Sequence, residues 1–158
     1  MVRVQWGVGV AGAAVASVLG VFGLSGSSSM PALLEPSAFV HPSPELAWTQ
    51  RVALVDEALA RGDLSHATHE WRDAYGAALR SRRWDALVEV GDRAVRIAEV
   101  AGGSTHFRAK AREAYLNALF RARAQRAVEG MHRAAEAFEW LGDSEMAQGA
   151  RRLADNHS

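Results

Sequence analysis

The chain has no cysteine in its 158 residues, which excludes disulfides, thiolate metal sites and a lipoprotein cysteine. It has no net charge, because eighteen Lys and Arg balance eighteen Asp and Glu. Composition therefore gives no reason to expect a nucleic-acid partner. Ile, Thr and Tyr are scarce after Pro44, where alanine and arginine abound, and that balance favours helices over sheets. Motifs of chemistry are missing too: no nucleophile elbow, no phosphate-cradling glycine loop, no HExxH and no paired-carboxylate arrangement. The glycines are assigned to hairpin stops or to the N-terminal segment. The chain accordingly reads as non-enzymatic, with no cofactor, no metal and no small-molecule substrate. Its length allows one domain with a core, plus short extras.

The long apolar run lies at the N-terminus. Residues 4–24 carry no charge, and only Gln5 and Ser17 among them are polar. As a helix they would cover roughly 30 Å, about the hydrocarbon thickness of a bilayer. Gly12, Ala16 and Gly20 recur every four residues and would form one small-residue stripe, a candidate packing face for another membrane helix. Two readings of residues 1–24 stand. The run is longer than a usual signal core, which points to an uncleaved anchor, while the serines at 25 and 27–29 offer a cleavage site. Arg3 precedes the segment and Glu35 is the first charge after it, so either reading leaves the N-terminus cytoplasmic and sends the remainder across. The expected location is the inner membrane by a single helix, with the rest periplasmic, or alternatively an exported soluble protein. Residues 25–43 hold three of the four prolines and read as an extended linker; its apolar groups at 32–34 and 38–40 would dock on the following domain or on a partner.

From Pro44 onward the chain repeats. Sliding residues 62–101 over 102–141 matches thirteen of forty positions without a gap, among them Gly62/Gly102, His66/His106, Tyr75/Tyr115, Glu89/Glu129 and Arg93/Arg133. A period of that length is the signature of helical repeats. Ser43-Pro44 opens a first helix, expected to run to about Arg61. Gly62 stops it and Asp63 caps a second, to about Arg80. The third extends from Trp84 to Ala101 and the fourth from Ser104 or Thr105 to about Arg121. The fifth covers roughly residues 124–141, and the sixth follows Gly142-Asp143 to near Ala154. Helices this short and alanine-rich need stacking for stability.

The turns carry a resemblance. Gly62-Asp63 is followed by Ala67, Trp71 and Ala74, and Gly142-Asp143 by Ala147 and Ala154, with Arg151 in place of the aromatic. Gly102 is followed by Phe107, Ala111 and Ala114. This pattern resembles the tetratricopeptide-repeat (TPR) family, across residues 48–155. It departs from that family in its forty-residue period and in lacking the Trp early in the first helix. The resemblance implies an all-α fold: a TPR-like α-solenoid of about three stacked antiparallel hairpins over residues 44–158, preceded by the N-terminal apolar helix. Such motifs specify a fold better than a function.

Candidate functional residues are few. His66, His69 and Glu70 share a helix face, but further metal ligands have no obvious source, and His66 and His106 read instead as first-turn residues of equivalent helices. Tyr75 and Tyr115, beside small alanines, read as interlocking core. Most of Trp48, Trp71, Trp84 and Trp140 should be core as well. Arg80, Arg82 and Arg83 surround one inter-unit turn, and Arg121, Arg123 and Arg126 the next. With Trp84 they define a basic edge opposite the glycine turns. Its structural reading is solvated cations at helix C-termini; its functional reading is contact with an anionic protein surface or anionic lipid headgroups. The expected function is a membrane-tethered interaction module with a membrane-associated protein partner, an accessory subunit or assembly factor of a bacterial envelope complex. The alternative is a soluble periplasmic or secreted binding protein.

Overall fold

The computed structural model describes residues 44–157, with side chains from Ala47 onward. Among these residues it is all-helical: α1 (Pro44–Ala60), α2 (Leu64–Ser81), α3 (Trp84–Val100), α4 (Thr105–Ala124), α5 (Val128–Leu141) and α6 (Ser144–Asp155). The N-terminal segment, with Gly12, Ala16 and Gly20, and the linker lie outside the described residues. No helix among the described residues is long and apolar enough to cross a membrane.

Local chemistry sets the glycine turns. Gly62 takes a left-handed φ of 72°, which lets the Gly62 and Asp63 amides fold back onto the Leu59 and Ala58 carbonyls at 3.0 and 2.9 Å. The Asp63 carboxylate then accepts from the His66 amide at 3.0 Å and starts α2. Gly142-Asp143 repeats the device: Asp143 bonds back to Phe138 O at 2.9 Å, and its carboxylate accepts from Met146 N. The arginine turns have no such signal. α4 runs three residues past Arg121, to Ala124, and α5 begins at Val128 rather than near residue 124. Arg82 and Arg126 themselves adopt left-handed φ values of 58° and 53°.

Helices pack pairwise as hairpins, α1 on α2, α3 on α4 and α5 on α6, and α3 lies between α1 and α5 as their neighbour. Alanine makes the close approach possible: Ala58, Ala74, Ala94, Ala118, Ala134 and Ala150 are wholly buried. Between them sit the large core side chains Val55, Leu87, Ile97, Tyr115, Met131 and Phe138, each aliphatic one contributing about 1.5–3 kcal/mol by burial. Trp71 joins the first two hairpins. Its Nε1–H donates to Val90 O at 2.9 Å, its ring stacks on Tyr75, and Phe107 meets it edge-on.

Two buried glycines correct the assignment of every glycine to a turn or to the N-terminal segment. Gly91 lies inside α3, where a Cβ would stand 2.3 Å from Tyr115 Cε1. Gly130 lies inside α5, where a Cβ would stand 2.7 Å from Trp84 Cδ2 and 2.8 Å from Ala122 Cβ. Both exist to admit a ring from another helix.

Candidate partner-binding groove

The arginine turns are neighbours in space. Arg121 reaches from α4 to the end of α2, where its guanidinium donates to Ala78 O at 3.1 Å and Leu79 O at 2.8 Å, with Arg83 O at 3.5 Å. Gln125 Nε2 donates to Arg82 O at 2.8 Å, so the two turn tips are tied together. Arg121 therefore satisfies the orphan carbonyls at a helix C-terminus, where a cation is favoured. Burial and the nearby Arg82 charge push its pKa down from the ordinary arginine value.

The other members of the edge divide in the same way. Arg83 forks onto Asp85, with Nε–Oδ1 at 2.9 Å, and this holds the Asp85 carboxyl below its usual value. Trp84 is half-buried with its indole against Gly130. That leaves Arg80, Arg82, Arg123 and Arg126, all exposed and without an ion pair among the described residues. Arg121→Met is expected to cost about 1–2 kcal/mol, since several carbonyls lose a charged donor. Arg123→Met should stay within about 0.5 kcal/mol of wild type. Urea unfolding of the two variants checks this, and equal midpoints would remove the capping role.

Among the described residues no group of histidines and carboxylates is arranged to hold a metal ion. His66 Nε2 lies 3.9 Å from Glu70 and His69 Nε2 lies 4.0 Å from Asp73, while His106 is an exposed edge-on neighbour of Phe107. Glu70 is buried and takes its main bond from Arg51 Nη1 at 2.7 Å, a pairing that raises the Arg51 pKa.

A groove opens between α3 and α5. Asp85, Glu89 and Asp92 descend α3 at helical spacing, and Glu129 and Glu136 face them from α5, around a cavity of about 460 Å³. Trp84 and Val88 supply an apolar wall. Past Asp92 the groove continues for about 350 Å³ toward Ala137 and Trp140. Trp140 is 62% exposed there and is the exception among the four tryptophans expected mostly in the core, whereas Trp48 and Trp71 are buried. From residue 84 to residue 96 of α3 the groove spans roughly 18 Å at 1.5 Å per residue.

Two carboxylates in the groove carry most of its open capacity. Asp85 is engaged by Arg83, Asp92 accepts from Tyr115 Oη at 2.8 Å, and Glu136 takes Arg133 at 3.2 Å. Glu89 and Glu129 make no hydrogen bond or ion pair among the described residues, and they occupy the same repeat position. Burial raises the Glu89 pKa; Arg93 opposes that, while Asp85, Asp92 and Asp56 add to it. Burial, with Asp92 beside it, also pushes the Tyr115 hydroxyl up.

The seam stays open for a reason visible in the repeat. Between α1 and α3, Asp56 binds both Arg93 at 3.0 Å and Arg96. One repeat on, Arg93 becomes Arg133 but Asp56 becomes Arg96. Arg133 has lost the equivalent carboxylate and turns to Glu136 on its own helix, with a longer contact to Asp92 at 3.4 Å. In the sequence the Glu89/Glu129 match is periodicity alone; only the packing of α3 beside α5 gives the two a shared groove. No protein-family model, curated protein or solved structure matches the chain.

Proposed function

We propose that the chain is a non-enzymatic protein–protein interaction module: a TPR-like α-solenoid of three hairpins held at the inner membrane by its N-terminal segment, with the hairpins in the periplasm. In that setting it serves as an accessory subunit or assembly factor of an envelope complex. The observation that carries this reading is the open α3–α5 groove, which presents Glu89 and Glu129 unpaired beside an apolar wall. A groove that leaves the half-buried Glu89 carboxylate outside any hydrogen bond or ion pair, with the exposed Trp140 at its far end, is suited to completion by another surface. The hairpin order, with α3 flanked by α1 and α5, also suits a repeat stack.

Affinity capture from membranes with the full chain tests the proposal. Wild type should retain a specific protein that Glu89→Gln/Glu129→Gln loses; capture of nothing specific, or capture indifferent to the substitutions, counts against it. The serine run beyond residue 24 supports the released, soluble form as a second reading. Intact mass of the native protein separates the two, since a mature N-terminus within residues 25–29 rules out the anchor.

A further inference from the structure

The acidic groove has a complement on the same chain. Arg82 and Arg126 stand at the tips of two turns that Gln125 ties together, each with a left-handed backbone, and Arg80 and Arg123 flank them. None of the four makes an ion pair among the described residues. Within one molecule the two surfaces do not neutralise each other. Arg83 covers Asp85 at the groove mouth, while Glu89 and Glu129 stay open. The chain thus has zero net charge but keeps unpaired cations along one edge and unpaired carboxylates in the adjoining groove.

We propose that the α3–α5 groove of one molecule receives the arginine edge of a second copy, so that the domain associates head-to-tail. The proposal rests on reading the groove as an interaction surface and names its occupant. Charge complementarity selects that occupant: along its length the groove sets five carboxylates, Glu89 and Glu129 among them outside any ion pair, against Arg96 and Arg133 with His132 beside them, and the edge supplies four guanidiniums without ion pairs among the described residues, suited to paired bonds with carboxylates. The two turn tips lie side by side, tied by Gln125 on Arg82 O, and the groove is long enough, at roughly 18 Å, to take two neighbouring turns. Trp84 and Val88 line the floor that the arginine stems would cover. Because groove and edge are different surfaces, the contact is heterologous: each molecule keeps one free groove and one free edge, and association continues into chains rather than stopping at a dimer.

Sedimentation velocity of the full chain in a non-ionic detergent, at low salt, tests this. Wild type should form concentration-dependent oligomers. They should weaken about tenfold as ionic strength rises from roughly 0.01 M to 0.15 M, where the Debye length falls from ~30 to ~8 Å. Glu89→Gln/Glu129→Gln keeps the edge and loses the groove charges; Arg82→Gln/Arg126→Gln does the reverse. Each alone should associate at least tenfold more weakly than wild type. An equimolar mixture should form a one-to-one heterodimer and go no further, since only one intact groove and one intact edge are present. Helical circular dichroism of both variants confirms that they fold.

Monomeric wild type at about 100 μM in low salt overturns the proposal. So does association that survives both pairs of substitutions, or a mixture that stays monomeric. Binding of the edge to anionic vesicles, lost in Arg82→Gln/Arg126→Gln and without self-association, overturns it in favour of lipid headgroups. If the purified chain stays monomeric while the groove variant loses membrane-protein capture, the second copy falls and the interaction-module reading stands.

Discussion

Gly91→Ala is expected to destabilise the hairpin domain by about 3 kcal/mol, at the upper end of overpacking costs. Helix propensity alone predicts the opposite sign, since alanine is favoured over glycine inside a helix by about 1 kcal/mol. Packing decides it. A Cβ at residue 91 would stand 2.3 Å from Tyr115 Cε1, 2.6 Å from Cδ1 and 3.0 Å from Cζ. Tyr115 has nowhere to go: it is 1% exposed, its hydroxyl is fixed on Asp92 at 2.8 Å, and its ring meets Phe138 edge-on. Urea unfolding measures the effect. Tyr115→Phe should not rescue the variant, because the clash is with ring carbons. Tyr115→Leu should cost markedly less in the Gly91→Ala background than in wild type. An unchanged or higher midpoint for Gly91→Ala would show that α3 and α4 do not meet in this register.

That contrast shows what was legible in the sequence. Gly62-Asp63 and Gly142-Asp143 could be read because capping is local: the glycine, the carboxylate and the amide it accepts lie within a few residues. The end of α4 could not. Arg126 takes a conformation that glycine usually signals, and the turn is held by Gln125 on Arg82 O, forty-three residues away. Gly91 and Gly130 failed for the same reason, since their justification is a ring on another helix. Arg121 and Arg123 are alike in sequence, and only the position of α2 makes one a cap and leaves the other in solvent. The acidic groove falls between these cases. Asp85, Glu89 and Asp92 share a face of α3 by spacing alone, as Glu129 and Glu136 do on α5. That the two stripes face each other depends on α3 and α5 being neighbours. Position 96 then decides how open the seam is, because arginine stands where the preceding unit has Asp56.

Trp71→Ala is expected to be the most damaging single truncation, at about 4 kcal/mol. Trp71 is the aromatic of the one complete Gly-Asp turn pattern; its counterparts one and two repeats on are Ala111 and Arg151. No other hairpin can supply what it does. The ring is 4% exposed, lies 5.5 Å from Tyr75 and 5.6 Å from Phe107, and donates to Val90 O at 2.9 Å. Removing it opens a cavity between α2, α3 and α4 at once. Trp71→Phe separates the contributions. It loses the indole hydrogen bond and part of the volume but keeps an aromatic ring, and Val90 O lies within α3, where helix geometry supplies another donor. Its expected cost is about 1–2 kcal/mol. Hydrogen exchange should show where the loss falls. If Trp71 couples the first hairpin to the second, Trp71→Ala should release protection in α1 and α2 first and spare α5 and α6, as expected when each unit is stabilised by its neighbour. Uniform loss along all six helices would instead make the domain one cooperative block. A cost below about 1 kcal/mol would mean that the alanine seams, rather than Trp71, join the hairpins.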